Sequence, residues 1–311
     1  MTEIFLLIVV GLALLTIGAE LLVRGSSQLA LHLKVPALVV GLTVVAFGTS
    51  APELVVSISS NAREMGDIAV GNVVGSNLAN IAVILGLAAL IRPLKVNLKV
   101  LKIDMPIVLG LSLLVPLLLF DNVVSRPEGV ALFCGVIGYT IFTVLYGKKE
   151  AEEVRISTPG ESAKRSLVLQ ILFILAGLGA LVLGSRFFID GSVDLAKRFQ
   201  VSEAIIGLTI VAGGTSLPEL ATSVVASFRK QEDIAVGNIL GSNIFNILAI
   251  LGLTGSISPI QVQNISMVDL GAMIFAALLL LPLIRTGFRI SRVEGAALLI
   301  FYGGYLYYLW P

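Results

Sequence analysis

The chain has 311 residues, of which 57% are hydrophobic and only 13% charged, with a formal net charge of +1. A soluble domain carries about 25% charged residues, so the composition excludes an ordinary water-soluble globule; the near-zero net charge identifies no partner, and no nucleic acid is expected. One cysteine (Cys134) and one histidine (His32) rule out an internal disulfide and zinc, haem or iron–sulfur centres.

The hydrophobic excess lies in apolar runs of roughly twenty residues, the length that crosses a bilayer as a helix. The first runs to about residue 23. It starts with Glu3 and has no basic residue before Arg24, which suits a span better than a secretory signal. His32 is expected in a short interfacial loop beside Lys34. Residues 36–60 follow, polar at their centre, then runs near 67–91, 103–120 and 127–146. Cys134 is expected to pack within the last of these. The stretch 148–165 carries both signs of charge and Pro159-Gly160, and reads as a solvated linker. Further runs lie near 167–189, 202–227, 234–256, 267–284 and 291–310, making ten in all.

The second five copy the first. Residues 41–96 align with 207–262 without a gap, with 31 of 56 positions identical. The same offset of 166 relates Gly11 to Gly177, Gly18 to Gly184 and Gly25-Ser26 to Gly191-Ser192. A one-residue slip matches Asp104 to Asp269. An odd number of spans per copy inverts the second copy in the membrane. The expected fold is therefore an all-α integral membrane protein of ten transmembrane helices in two inverted five-helix repeats, residues 1–146 and 167–311, joined by a linker at 147–166. Inverted repeats with interrupted helices point to a secondary transporter whose site lies near the midplane.

Lys and Arg sort unequally between the two faces. Arg63, Arg126, Arg186, Lys197 and Arg198 lie on the side of the termini, and the other sixteen lie opposite. The positive-inside rule then places the linker in the cytoplasm and both termini outside, in a cell membrane.

The polar centre of the second run is Gly48-Thr49-Ser50-Ala51-Pro52-Glu53, repeated as Gly214-Thr215-Ser216-Leu217-Pro218-Glu219. An ionisable residue inside a span is costly and marks function. Thr49 and Ser50 lie four and three residues before Glu53, so the hydroxyls share the carboxylate's side of a helix. Pro52 has no N–H and clashes with the carbonyl of Gly48, so oxygens near Ala46–Gly48, and near Ala212–Gly214 in the second copy, are expected to lose helical partners. The next run adds a stripe of Asn72, Ser76 and Asn80, copied as Asn238, Ser242 and Asn246, with Asn77 and Asn243 one residue round. Such an all-oxygen set suits hard cations, calcium and sodium above all. Helix-to-helix bonding accounts equally well for Asn72, Asn77 and their copies, but not for two buried glutamates.

These two motif pairs, Gly-Thr-Ser-x-Pro-Glu and Gly-Asn-x-x-Gly-Ser-Asn-x-x-Asn, resemble the paired repeats of the calcium/cation antiporter superfamily, and most of all its prokaryotic sodium/calcium exchangers. The resemblance covers essentially the whole chain. It implies ion ligands at Glu53, Thr49, Ser50, Ser76, Asn80, Glu219, Thr215, Ser216, Ser242 and Asn246, with the carbonyls of Ala46 and Ala212. It also implies gating by sliding of the long first and sixth helices. Two departures stand out: Asn246 occupies a position where some archaeal members have aspartate, and Gly213 stands opposite the bulkier Phe47.

The expected activity is calcium export driven by sodium entry, by alternating access. Proton-coupled or potassium-dependent exchange is the nearest alternative. An uncoupled cation channel fits the inverted halves less well, and no buried Lys or His base is expected to serve an intramembrane enzyme. The transported ions, Ca2+ and Na+, and the bilayer are the expected partners, with no cofactor and no obligate protein partner. The linker is too short for a folded calcium-sensing domain.

Overall fold

The computed structural model describes residues 2–155, 166–200, 212–285 and 287–309, and they are almost entirely helical. In chain order the helices are α1 (Thr2–Leu33), α2 (Ala37–Thr49), α3 (Ala51–Asn61), α4 (Gly66–Ile91), α5 (Val100–Leu118), α6 (Arg126–Arg155), α7 (Leu167–Arg198), the short turn α8 (Ala212–Gly214), α9 (Leu217–Phe228), α10 (Glu232–Ile257), α11 (Met267–Arg285) and α12 (Arg292–Leu309). Four two-residue strands lie in the connections: β1 (Leu94–Lys95), β2 (Val123–Val124), β3 (Ile260–Gln261) and β4 (Arg289–Ile290).

Among the described residues seven helices are each long and apolar enough to cross a membrane, and the pair α2 and α3, bent by 44°, makes an eighth span. The other two expected runs correspond to α9, with 12 residues, and α12, with 18. Residues 201–211, the first part of the run expected near 202–227, lie outside the described residues, as do 156–165 of the linker. The linker is not solvated coil throughout, since α6 continues to Arg155.

The two longest helices overrun their expected ends. The expected stop near residue 23 is overrun because Arg24 pairs with Glu20, which also holds Arg229 at 2.7 Å, so these charges do not break α1. At 32 residues and a 1.5 Å rise, α1 is roughly 48 Å long. That exceeds a hydrocarbon thickness of about 30 Å, so α1 either tilts or projects beyond the membrane. His32 accordingly sits in the last turn of α1 and not in a loop. Cys134 is helical as expected, but its side chain is exposed on the outside of α6 and not packed.

α1 and α7 pack antiparallel, backbone against backbone. A Cβ on Gly11 would meet Gly184 O at 2.9 Å, one on Gly18 would meet Gly177 O at 2.8 Å, and one on Gly25 would meet Gln170 O at 3.0 Å. Gly177 and Gly184 return the same contacts. The seven-residue spacing keeps these glycines on one seam of each helix. Small residues are what let backbones approach this closely in a membrane, where apolar side chains gain nothing by leaving lipid.

The halves interlock elsewhere in the same reciprocal way. β1 pairs antiparallel with β4, and β2 with β3, so each half completes the other's strands. α10 is the centre: its best membrane-length window is 100% buried, against 67% for α4 and 28–33% for α1, α5, α6, α7 and α11. Gly237 and Gly241 of α10 admit α2, where a Cβ would meet Leu38 O and Leu42 O at 2.9 and 2.8 Å. Helices α10 and α4 form the core together with the broken α2 and the buried sides of α3 and α9, while α1, α5, α6, α7 and α11 leave most of their surface outward.

The α1–α7 seam predicts that Gly18→Leu destabilises the protein by about 1–3 kcal/mol or more, lowering the midpoint of thermal unfolding in detergent. Gly179→Leu, where an added Cβ meets nothing within 4 Å, leaves that midpoint in place.

Candidate functional site

The break between α2 and α3 follows from the sequence. Pro52 occupies the first turn of α3, where its missing N–H costs least, and Ser50 adopts a non-helical conformation (φ −80°, ψ 6°). The second copy has the same geometry at Ser216 (φ −87°, ψ 8°) with Pro218 in the first turn of α9. Each carboxylate therefore sits in the first turn of a helix, beside the positive end of its dipole. Both are enclosed: Glu53 and Glu219 are 1% exposed.

The carboxylates are held crosswise. The Ser50 hydroxyl donates to Glu219 Oε1 at 2.9 Å, and the Ser216 hydroxyl donates to Glu53 Oε1 at 3.0 Å. The Ser76 hydroxyl lies 3.3 Å from that of Ser216. Thr215 faces Glu53, while Thr49 and Ser242 face Glu219. Thr49 Oγ1 is also 3.0 Å from Asn238 Oδ1 and 3.3 Å from the Ala46 carbonyl oxygen. The structure thus gathers Glu53, Ser216, Ser76 and Thr215 around one carboxylate, and Glu219, Ser50, Thr49 and Ser242 around the other.

The asparagines divide into two kinds. Asn72 donates to the Glu53 carbonyl oxygen at 3.1 Å and Ser57 Oγ at 3.0 Å, and Asn238 does the same to Glu219 and Ser223 at 3.3 and 2.9 Å. These two bind neighbouring helices to the broken segments. Asn80 and Asn246 behave differently. Their Nδ2 atoms donate to Asn243 Oδ1 and Asn77 Oδ1, each at 3.0 Å, in a second crossed pair. Both begin π-helical turns, Asn80–Leu85 and Asn246–Leu251, a local widening that is frequent at functional sites.

Among the described residues of the site, Ser242 Oγ has no hydrogen-bond partner, and neither do four carboxylate and amide oxygens: Glu53 Oε2, Glu219 Oε2, Asn80 Oδ1 and Asn246 Oδ1. They form two pairs related by the 166-residue offset. Buried acceptors without donors are rare and call for a ligand, a water or an ion. Two carboxylates, which repel each other here, add a further demand for positive charge. Among the described residues no group of three or more His, Cys, Asp and Glu could hold a metal, so any ion bound here takes its remaining ligands from neutral oxygens.

The carbonyl expectation needs narrowing. The Ala46 oxygen keeps its helical donor, the Ser50 N–H at 3.0 Å, and has only its second lone pair to offer. Pro52 has no N–H to give to the Gly48 carbonyl, and in the second copy the matching Gly214 oxygen accepts from the Ser185 hydroxyl at 2.7 Å. Ser185 was not singled out from sequence, because its match in the first half is Ala19. Ala212 lies in the turn α8, and its side chain is outside the described residues. Gly213 has nothing within 4 Å of an added Cβ, whereas Phe47 packs its ring 5.8 Å from that of Phe245.

A family model described as sodium/calcium exchanger protein matches residues 3–145 and 169–310. The chain belongs to this family. It is 33% identical to the sodium/calcium exchanger MaX1 of Methanosarcina acetivorans, covering 97% of each chain, and 38% identical to the inner membrane protein YrbG of Escherichia coli K12, covering 84% of this chain and 82% of that one. Its structure resembles that of the sodium-calcium exchanger NCX_Mj soaked with zero Na+ and Ca2+, with a TM-score of 0.86 at 30% identity over 99% of each chain. Membership in this exchanger family agrees with the membrane-spanning, all-helical architecture, and makes the chain a transporter of the antiporter type.

The crossed serines predict that Ser50→Ala and Ser216→Ala each strip a donor from a buried carboxylate and lower stability by about 1–3 kcal/mol. Denaturant or thermal unfolding in detergent checks this, with the exposed Ser59→Ala as the unaffected control.

Proposed function

We propose that this member of the family exports calcium across the cell membrane in exchange for sodium entering by alternating access. The observation that carries the reading is the set of four unpartnered carboxylate and amide oxygens, two of them on glutamates, with the unpartnered Ser242 Oγ beside Glu219. Calcium accepts six to eight oxygens in flexible geometry, and magnesium demands a tight octahedron. Two glutamates balance one divalent ion, and the same oxygens can hold sodium in its place, so the ions compete for one site and exchange follows. The proposed ligands are Glu53, Glu219, Thr49, Ser50, Ser76, Asn80, Thr215, Ser216, Ser242 and Asn246, with the carbonyls of Ala46 and Ala212.

In this reading the chain crosses the membrane ten times as two inverted five-helix repeats, residues 1–146 and 167–311, with both termini outside and the 148–165 segment in the cytoplasm. The sorting of connections supports it. Arg92 pairs with Glu232 at 3.0 Å on the face where β1 meets β4. Asp67 accepts from Gln263 and Asn264 N–H groups at 2.7 and 3.0 Å on the face where β2 meets β3. These are the groupings the basic-residue count requires. Three sodium ions for one calcium would move one net charge inward, a gain of about 2.3 kcal/mol per 100 mV of inside-negative potential.

The test is calcium flux in reconstituted vesicles under imposed sodium, potassium or proton gradients. The expected result is saturable flux that sodium alone drives. Flux driven by protons, or dependent on potassium, would replace the coupling ion, and uncoupled conductance would overturn antiport. Glu53→Gln and Glu219→Gln are each expected to abolish exchange while the protein still accumulates in the membrane. Calcium at about 100 times its Kd is expected to stabilise the unmutated protein against unfolding by about 2.7 kcal/mol, and to leave both variants unaffected.

A further inference from the structure

Asn77 and Asn243 are each 1% exposed and lie in the middle of the two core helices, one residue round from the polar stripe. The motifs do not place them among the ion ligands, yet each touches a ligand of the opposite half. Asn243 Oδ1 takes the Asn80 Nδ2 proton at 3.0 Å, and Asn77 Oδ1 takes that of Asn246 at 3.0 Å. An asparagine amide presents an oxygen on one side and an NH2 on the other, and only the hydrogen-bond network decides which way round it sits.

Here that choice decides whether a cation can bind. Turning Asn80 over would set its oxygen against Asn243 Oδ1, acceptor against acceptor, and would present an NH2 to the ion. While Asn243 keeps its oxygen toward Asn80 the cross-bond opposes that turn and leaves Asn80 Oδ1 unpartnered, and Asn77, its own Nδ2 held by the Asn243 carbonyl oxygen, does the same for Asn246 Oδ1. Ordinary helix-to-helix bonding consumes both ends of an amide. These two amides spend only the nitrogen, and they do so at matching positions at the start of matching π turns.

The geometry assigns Asn77 and Asn243 as positioning residues that fix the ligand amides of Asn246 and Asn80 oxygen-first; this rests on the ion-site reading proposed above. The two are not equivalent. Asn77 also donates its Nδ2 to the Asn243 carbonyl oxygen at 3.3 Å, whereas Asn243 Nδ2 has no partner. Asn243 is therefore the cleaner position to test, because a carboxylate there keeps the acceptor and displaces no bonded donor.

The experiment measures the calcium concentration that half-saturates sodium-driven flux, and calcium-induced thermal stabilisation of the same purified variants. Asn243→Leu removes the acceptor at nearly constant volume and is expected to weaken calcium about 10- to 100-fold, the usual effect of losing a group that orients a metal ligand. Asn243→Asp retains the acceptor for Asn80 Nδ2 and is expected to bind calcium at least about tenfold more tightly than Asn243→Leu. A merely structural role reverses that order, since a buried carboxylate is costlier than a leucine, and Asp weaker than Leu would overturn the assignment. So would Asn243→Leu binding calcium as the unmutated protein does. Asn80→Asp alone lets Asn243 turn its amide and donate, but combined with Asn243→Asp it sets two carboxylates face to face. The double variant is expected to lose about tenfold more affinity than the two singles sum to, and strict additivity would count against the assignment. Should Asn243→Leu not accumulate, Asn243→Ala carries the same comparison. Asn80→Ala binding calcium normally would instead refute the ion-site reading itself, whatever Asn243 does.

Discussion

Two carboxylates enclosed in the middle of an apolar helical bundle are the constraint around which the rest is arranged. A charge taken from water into such surroundings costs several kcal/mol even after relaxation, and Glu53 and Glu219 also repel each other. The protein offsets part of that cost by crossing its hydrogen bonds, so that Ser50 serves the carboxylate of the other half and Ser216 returns the favour. One oxygen of each carboxylate is left over. In the function proposed above, a cation would complete what the protein leaves unfinished.

The crossing has a second consequence. Because each half hydrogen-bonds the other's carboxylate, neither half can form this cluster by itself. The amides repeat the rule at Asn80 with Asn243 and Asn246 with Asn77, and the connecting strands repeat it at the membrane faces. The interlocked centre contrasts with the α1–α7 seam. There glycines bring backbones into contact.

Most of the architecture was legible in the chain because a bilayer leaves few choices. Lipid offers no hydrogen bonds, so each apolar run must be helical, and the runs located most helices to within a few residues. The misses have local causes. Arg24 seemed to end the first span, and the structure carries the helix to Leu33 because Glu20 neutralises that charge from within. Ser185, which caps the carbonyl freed by Pro218, had no counterpart at Ala19 to draw attention to it. The π turns at Asn80 and Asn246 carry no proline or glycine break to announce them in the sequence.

The sequence by itself determined that the chain is a duplicated, helical membrane protein with a broken helix and a buried glutamate in each copy. Those properties reside in hydropathy, in the 166-residue offset and in the position of two prolines. Only the tertiary structure decided which asparagines tie helices together and which leave a buried oxygen unpartnered. Asn72, Asn77 and Asn80 are chemically identical and lie on one helix. What separates them is the partner each meets: a backbone carbonyl of the same half for Asn72, and an asparagine of the other half for Asn77 and Asn80.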